Sequence, residues 1–163
     1  MENCPTYYIE SIKNMNRAVV RGYTAPHKPI LLLAILELVE EGKIASNKID
    51  LTDALIDRFT SLWVKHVDDG SSRDSKMEID KGLEIDVVIQ YPYKCSIANP
   101  YFHMNHEPFW NLIPSDKYVK RSDYTVNGLK TCFLYAEIDQ TLFDLMKDKK
   151  EREEIRRWLV STL

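Results

Sequence analysis

The stretch GYTAPHKPILLLAILELVEEGKI, residues 22–44, decides the fold. It opens with Pro26 and Pro29, and proline suits a first helical turn because the N–H group that it lacks would have no intrahelical partner there. Residues 30–39 are apolar on nearly every helical face, and Gly42 supplies a natural C-terminal stop. The pattern therefore predicts a central core helix that begins at these prolines.

The segments around this helix predict further helices. Thr6 is expected to cap a first helix that ends near Arg21-Gly22, and Thr52 is expected to cap a third helix. Asp139 and Asp148 have the positions of caps for two helices near the C-terminus. The order of helix, short extended turn and helix in the first half of the chain is typical of a winged-helix-like core.

The aromatic segment that follows predicts strands. Residues 101–104 and 109–113 favour a small antiparallel β-hairpin turned at residues 105–107, and a further strand is predicted around residues 85–91. The polar run from residue 68 to about residue 81 is predicted to be an insertion or a mobile loop. Together these patterns predict a mostly helical α+β fold with a small antiparallel hairpin.

The composition is that of one domain. The chain has 163 residues, of which 44% are hydrophobic, so we treat residues 1–163 as a single domain with one core. The three cysteines form no CxxC pair, the N-terminus lacks the blocks of a signal peptide, and the longest apolar run, residues 30–36, is too short to span a bilayer. These features predict a cytoplasmic protein with no membrane partner, no cofactor and no bound metal.

Positive charge is concentrated in one part of the chain. The formal net charge is -3 and the pI is about 5.8, which differs from a uniformly basic nucleic-acid binder. Residues 11–30 nevertheless contain no acidic residue and four basic ones: Lys13, Arg17, Arg21 and Lys28. His27 and Lys28 stand at the start of the core helix, where free N–H groups and the helix dipole favour anions. The sequence therefore predicts a local anion site that suits a nucleic-acid phosphate.

Three segments, in this order, resemble a known family. They are APHKPILLLAILELVEEGKI with the following NKIDL and F-x3-W, then NPYFHMNHEPFWNL, and then YAEIDQTLFDLM with IRRWL. The set is similar to the DNA sulfur-binding domain of type IV, phosphorothioate-dependent restriction endonucleases, a family that places this module ahead of an HNH nuclease domain. The resemblance covers most of the chain except about residues 68–95, which look like an insertion. It implies binding of double-stranded DNA that carries phosphorothioate linkages, with an HNH nuclease domain in cis or in trans.

The resemblance also implies site residues. The basic pair of the family falls on His27 and Lys28, and the aromatic-proline pair of its sulfur cavity falls on residues 99–101, where Asn99 stands in place of the common tyrosine. Sulfur is larger and less well hydrated than oxygen, so discrimination between them needs an apolar surface beside cationic donors. The apolar contact alone is expected to give a preference of roughly 1 to 3 kcal/mol. The expected DNA- and sulfur-binding residues are Arg17, Arg21, His27, Lys28, Asn99, Pro100, Tyr101 and Phe102. The expected contacts with the flanking DNA backbone are Lys13, Lys117, Lys120 and Arg121.

Other functions stay open at this point. Asp74 and Lys76 form an Asp-x-Lys pattern, which also occurs in metal-dependent nucleases. A zinc set is also conceivable on four residues, namely Cys95, His103, His106 and Glu107. We expect no catalysis by this chain alone. The main alternative to sulfur recognition is a protein-interaction domain, or a DNA-binding domain without sulfur selectivity.

Overall fold

A computed structural model describes residues 5–68 and 91–163, together with the backbone of two short strands between those ranges. The α-helices are α1 (Pro5–Lys13), α2 (His27–Glu40), α3 (Asp53–Trp63), α4 (Ala98–His103), α5 (Val126–Cys132), α6 (Gln140–Lys147) and α7 (Lys149–Ser161). The strands are β1 (Val19–Val20), β2 (Tyr23–Thr24), β3 (Lys48–Ile49), β4 (Met77–Ile79), β5 (Asp86–Val88), β6 (Trp110–Pro114) and β7 (Phe133–Ile138). A π-helical segment, Val64–Asp68, continues α3, and a 3-10 helix, Met104–His106, continues α4.

Helix α2 is the centre of the core, as its sequence predicts. Every side chain from Ile30 to Leu36 is at most 1% exposed, and α3, α4, α6 and α7 all pack against this helix. After its last turn, Gly42 adopts a φ of 75° and the Lys43 N–H donates to the Leu38 carbonyl at 2.9 Å. Glycine suits this position because a positive φ is costly for residues with a Cβ atom.

The central sheet is small and antiparallel, with the strand order β3-β7-β6. Tyr101 of α4 ties this sheet to the helical layer. Its hydroxyl donates to the Ile49 carbonyl of β3 at 2.6 Å and accepts from the Ala136 N–H of β7 at 3.0 Å. The fold is thus α+β and mostly helical, as predicted.

The predicted hairpin at residues 101–113 is wrong in its first strand. Residues 98–103 form α4 and residues 104–106 form the 3-10 helix, while β6 pairs with β7. Tyr101 and Met104, three residues apart, both face the core, and the Trp110 indole N–H donates to the Tyr101 carbonyl at 3.1 Å. Contacts with distant parts of the chain therefore override the local strand preference of these aromatic residues.

The predicted start and end of the first helix are also wrong. Helix α1 begins at Pro5, so Thr6 lies inside the helix and is not its cap. Helix α1 ends at Lys13, and β1 and β2 form a two-residue-per-strand hairpin with Arg21 and Gly22 at its tip. Arg21 and Gly22 have φ values of 53° and 82°, which close the tight turn and exclude a helix there. Lys13, Arg17 and Arg21 therefore do not share one helical face.

The predicted caps of two later helices are confirmed. The Thr52 side chain accepts from the Leu55 N–H at 3.2 Å, and the Asp148 side chain accepts from the Glu151 N–H at 3.0 Å. Asp139 also precedes its helix, but its carboxylate accepts from the Tyr8 hydroxyl at 2.9 Å instead of capping it. The strand predicted around residues 85–91 is present as β5. Over the described residues, no helix has both the length and the apolar character needed to cross a membrane.

Candidate anion-binding site

A surface cavity of about 400 Å³ lies where the start of α2 meets α4 and the base of the β1-β2 hairpin. We call it the central cavity. Its polar wall consists of Asn16, Arg17, His27, Lys28, Asn99, His103 and His106, and its apolar wall consists of Ala18, Ala25 and Pro100. Five of the residues that the sequence singled out therefore converge on one surface: Arg17, His27, Lys28, Asn99 and Pro100.

The start of α2 favours negative charge in this cavity. Pro26 occupies the N-cap position and no side chain caps this end of the helix. The first N–H groups of a helix have no intrahelical acceptor, and the helix dipole places a partial positive charge beside them. His27 and Lys28 belong to this first turn and also line the cavity, so the positive end of the helix lies at the cavity wall.

Lys28 forms a buried ion pair that sequence reasoning did not identify. Its Nζ donates to Glu107 Oε2 at 2.5 Å, and the two residues are 8% and 7% exposed. The same oxygen accepts from the Asn16 N–H at 3.1 Å. Glu107 therefore neutralises Lys28 and fixes its position, because a buried ammonium group without a partner would be costly.

Arg17 supplies positive charge that the surrounding backbone orients. Its Nε donates to the Ala25 carbonyl at 2.7 Å and its Nη2 donates to the Thr162 carbonyl at 3.2 Å. These partners are neutral, and within the described ranges 5–68 and 91–163 no carboxylate forms an ion pair with Arg17. Burial lowers the pKa of Arg17 below its usual value, although arginine remains charged at neutral pH. An anion in the cavity would therefore be attracted mainly by Arg17.

His27 is held in one orientation. Its Nε2 lies 2.9 Å from the Lys94 carbonyl, to which the neutral imidazole donates, and its ring centroid lies 4.7 Å from that of Trp63. The Tyr93 ring approaches edge-on at 5.8 Å. Burial lowers the pKa of His27, so the imidazole is neutral at neutral pH in the free protein.

Two further histidines lie on the cavity wall, and the sequence suggested them only as part of the alternative zinc set. The rings of His103 and His106 lie nearly parallel with centroids 6.0 Å apart. Burial lowers the pKa of His103, and the charges of His106 and Lys28 lower it further. In the part of the chain that the structure describes, no three His, Cys, Asp or Glu side chains converge to hold a metal ion. The alternative zinc set of Cys95, His103, His106 and Glu107 is therefore contradicted.

Two aromatic residues expected at the site lie elsewhere. Tyr101 is 2% exposed, and its hydroxyl is used by the two backbone bonds to the sheet, so it supports the core and does not line the central cavity. Phe102 faces a neighbouring cavity and packs against Tyr124 with ring centroids 4.8 Å apart. Both corrections follow from α4: a helix turns successive side chains through about 100°, so residues 100, 101 and 102 face different directions.

The remaining basic residues are exposed but lie outside the wall of the central cavity. Lys13 lies over the Trp158 ring, with Nζ 3.8 Å from the centroid, and pairs with Glu10. Arg21 is exposed at the hairpin tip. The three residues predicted to contact the DNA backbone are exposed in the loop between β6 and α5; they are Lys117, Lys120 and Arg121. Asp74 and Lys76, the alternative nuclease pair, lie outside the described residues.

One sequence signal indicated that Lys28 needs an acidic partner, which the structure identifies as Glu107. A lysine in the first turn of a helix that is apolar on all sides becomes buried, and a buried lysine requires a carboxylate. The sequence does not show which carboxylate that is, since Glu107 is 79 residues away.

Searches of the chain against protein-family models and against curated proteins found no match.

Proposed function

We propose that this chain is a recognition module that binds double-stranded DNA carrying phosphorothioate linkages, and that it serves as the reader domain of a modification-dependent restriction endonuclease. The observation that supports this proposal most is the composition of the central cavity. It joins a helix N-terminus and the Arg17 guanidinium to an apolar wall of Ala18, Ala25 and Pro100. The resemblance of the three sequence segments to the DNA sulfur-binding domain points to the same ligand.

The two kinds of wall match the two parts of a phosphorothioate. The charged oxygen suits Arg17 and the first turn of α2, because anions are stabilised by cationic donors and by the helix dipole. The sulfur suits the pyrrolidine ring of Pro100 and the alanine methyl groups, since it is large, polarisable and weakly hydrated. Contact with an apolar wall is worth about 1 to 3 kcal/mol for a difference of one methylene group, and a similar preference is expected here.

A titration of matched DNA duplexes tests this proposal. The duplexes differ only in one sulfur-substituted linkage, and their dissociation constants are measured at two salt concentrations. We expect the sulfur-containing duplex to bind about 10-fold more tightly, and both duplexes to bind more weakly as salt rises, because phosphate neutralisation releases counterions. Arg17→Ala and His27→Ala should weaken binding of the sulfur-containing duplex.

A matched control comes from the other end of the same helix. Lys43→Ala also removes one positive charge, but Lys43 is exposed and follows the C-terminus of α2. It should leave the sulfur preference unchanged. Equal binding of the two duplexes would contradict sulfur recognition, and no binding at low salt would favour a protein-interaction domain. Equal loss in Arg17→Ala and Lys43→Ala would show that the cavity is not the site.

The proposal assigns no catalytic step to this chain. The residues at the central cavity position and discriminate a linkage, and cleavage would fall to an HNH nuclease domain in the same or another chain. Asn99 lies exposed on the cavity wall at the position where the family commonly has tyrosine. That difference favours, as the second candidate, a DNA-binding domain without sulfur selectivity. Equal affinities for the two duplexes, lost in Arg17→Ala, would identify it.

A further inference from the structure

A second, smaller cavity adjoins the central cavity. We call it the side cavity; it has a volume of about 270 Å³, and Asn99 and His103 belong to the walls of both cavities. Successive phosphates on one DNA strand are separated by one nucleotide, about 3.4 Å along the helix axis. Because the two cavities share a wall, a linkage bound in the central cavity would bring a neighbouring nucleotide to the side cavity.

The walls of the side cavity differ in chemistry from those of the central cavity. One side is aromatic, where Phe102 and Tyr124 meet edge to face. The other side is polar and includes Ser96, Asn99 and the exposed Asp123. A carboxylate repels phosphate, so the DNA groups that Asp123 can bind favourably are the amino groups of bases. Asp and Glu accept from the N4 amino group of cytosine in the major groove.

The loop that presents Asp123 is held by its neighbours. The Tyr124 hydroxyl donates to the Val119 carbonyl at 2.6 Å and accepts from the Arg121 N–H at 3.0 Å. Its ring packs on Phe102 and on Phe133, with centroids 4.8 and 5.4 Å away. Asp123 is therefore presented by an ordered loop, which direct recognition of a base edge requires.

We infer that the side cavity reads the base next to the bound linkage, with Asp123 accepting a hydrogen bond from the N4 amino group of cytosine. This inference rests on the proposed function, since it requires a DNA linkage in the central cavity. It assigns a base preference, and the residue that determines it, to a surface distinct from the one that contacts sulfur.

The test permutes the base pairs on both sides of a single sulfur-substituted linkage and measures the dissociation constant of each duplex. Wild-type protein should bind a cytosine-flanked duplex about 5- to 100-fold more tightly than the others, the range expected for one good side chain–base contact. Asp123→Ala should abolish that preference. Asp116→Ala is the matched control, because Asp116 is an exposed aspartate of the same loop and lines neither cavity.

The outcomes separate this inference from the proposed function. A sulfur preference with equal affinity for all flanking bases, or a cytosine preference that persists in Asp123→Ala, would overturn the base-reading role alone. A cytosine preference that depends on Asp123 but not on sulfur would overturn sulfur recognition and keep the base contact. Absence of binding to every duplex would overturn both.

Discussion

At the scale of single residues, the ion pair between Lys28 and Glu107 explains how a lysine can sit at the start of a buried helix. Glu107 accepts from Lys28 Nζ and from the Asn16 N–H through the same oxygen. It thereby connects α2, the segment after α1 and the turn before β6. The pair fixes the positions of these segments more than it adds net stability. The attraction between its two charges mostly offsets the cost of removing them from water.

This pair yields a stability prediction. Lys28→Met should lower the free energy of unfolding by about 3 to 5 kcal/mol, since it leaves a buried carboxylate without its cation. The double variant Lys28→Met/Glu107→Gln should recover most of that loss, because the amide oxygen still accepts from Asn16 and no charge remains buried. Urea denaturation measures both, with Lys43→Met as the exposed control. A single variant as stable as the wild type would show that the pair is not buried in solution.

At the scale of secondary-structure elements, the site depends on three segments that approach one another at the start of α2. The first turn of α2 supplies His27 and Lys28, α4 supplies Asn99 and Pro100, and the base of the β1-β2 hairpin supplies Ala18 and Ala25. The Tyr93 hydroxyl holds that hairpin beside the cavity. It lies within hydrogen-bonding distance of two carbonyl groups, that of Ala18 at 3.0 Å and that of Tyr23 at 2.7 Å.

The elements also show what the sequence could predict. Helix α2 and the Thr52 and Asp148 caps were predictable because their signals are local: continuous apolar residues, two prolines and side chains that bond to N–H groups three residues on. The segment from residue 98 to residue 106 was not, because short aromatic runs fit a strand or a helix equally well. Its helical state depends on Tyr101 bonding to β3 and β7, which are distant in sequence.

The candidate site was predictable in part for the same reason. Local signals predicted His27 and Lys28 at an anion site, the family resemblance placed Pro100 beside them, and all three residues line the central cavity. The resemblance does not resolve which way each side chain of α4 points, so it did not show that Tyr101 packs in the core and that Phe102 lines the side cavity instead of the central cavity. Glu107, His103 and His106 join the site only through tertiary contacts.

At the scale of the whole molecule, the charges at the two ends of α2 are balanced differently. Its C-terminal half carries Glu37 and Glu40, which pair with Arg58 of α3 and with Arg152 and Arg156 of α7. These pairs join three helices at the end of α2 away from the central cavity. The charge of Arg17 and the positive end of the helix dipole lie at the other end, which is where the proposed function would place a polyanion despite the acidic total.

One buried and two partly buried histidines make the stability of the molecule depend on pH. Burial lowers the pKa values of His27, His66 and His103 below 6.5, so the unfolded chain binds protons more readily than the folded chain in this range. Their contribution to stability is therefore complete above pH 6.5 and is lost as the pH falls below it. Urea unfolding at pH 7.5 and 5.5 should show lower stability at 5.5, with a smaller drop for His27→Gln. A wild type equally stable at both pH values would contradict the lowered pKa values of these imidazoles.

The most direct test of the central claim is to locate the sulfur-dependent contact on the protein. Two-dimensional amide NMR spectra of the chain are recorded with a sulfur-substituted duplex and with the matched unmodified duplex. We expect the largest shift differences between the two complexes at residues 16–18, 25–28 and 98–106, which surround the central cavity. Differences confined to the loop of residues 115–125 or to α7, or identical spectra for the two complexes, would contradict binding of the modified linkage in this cavity.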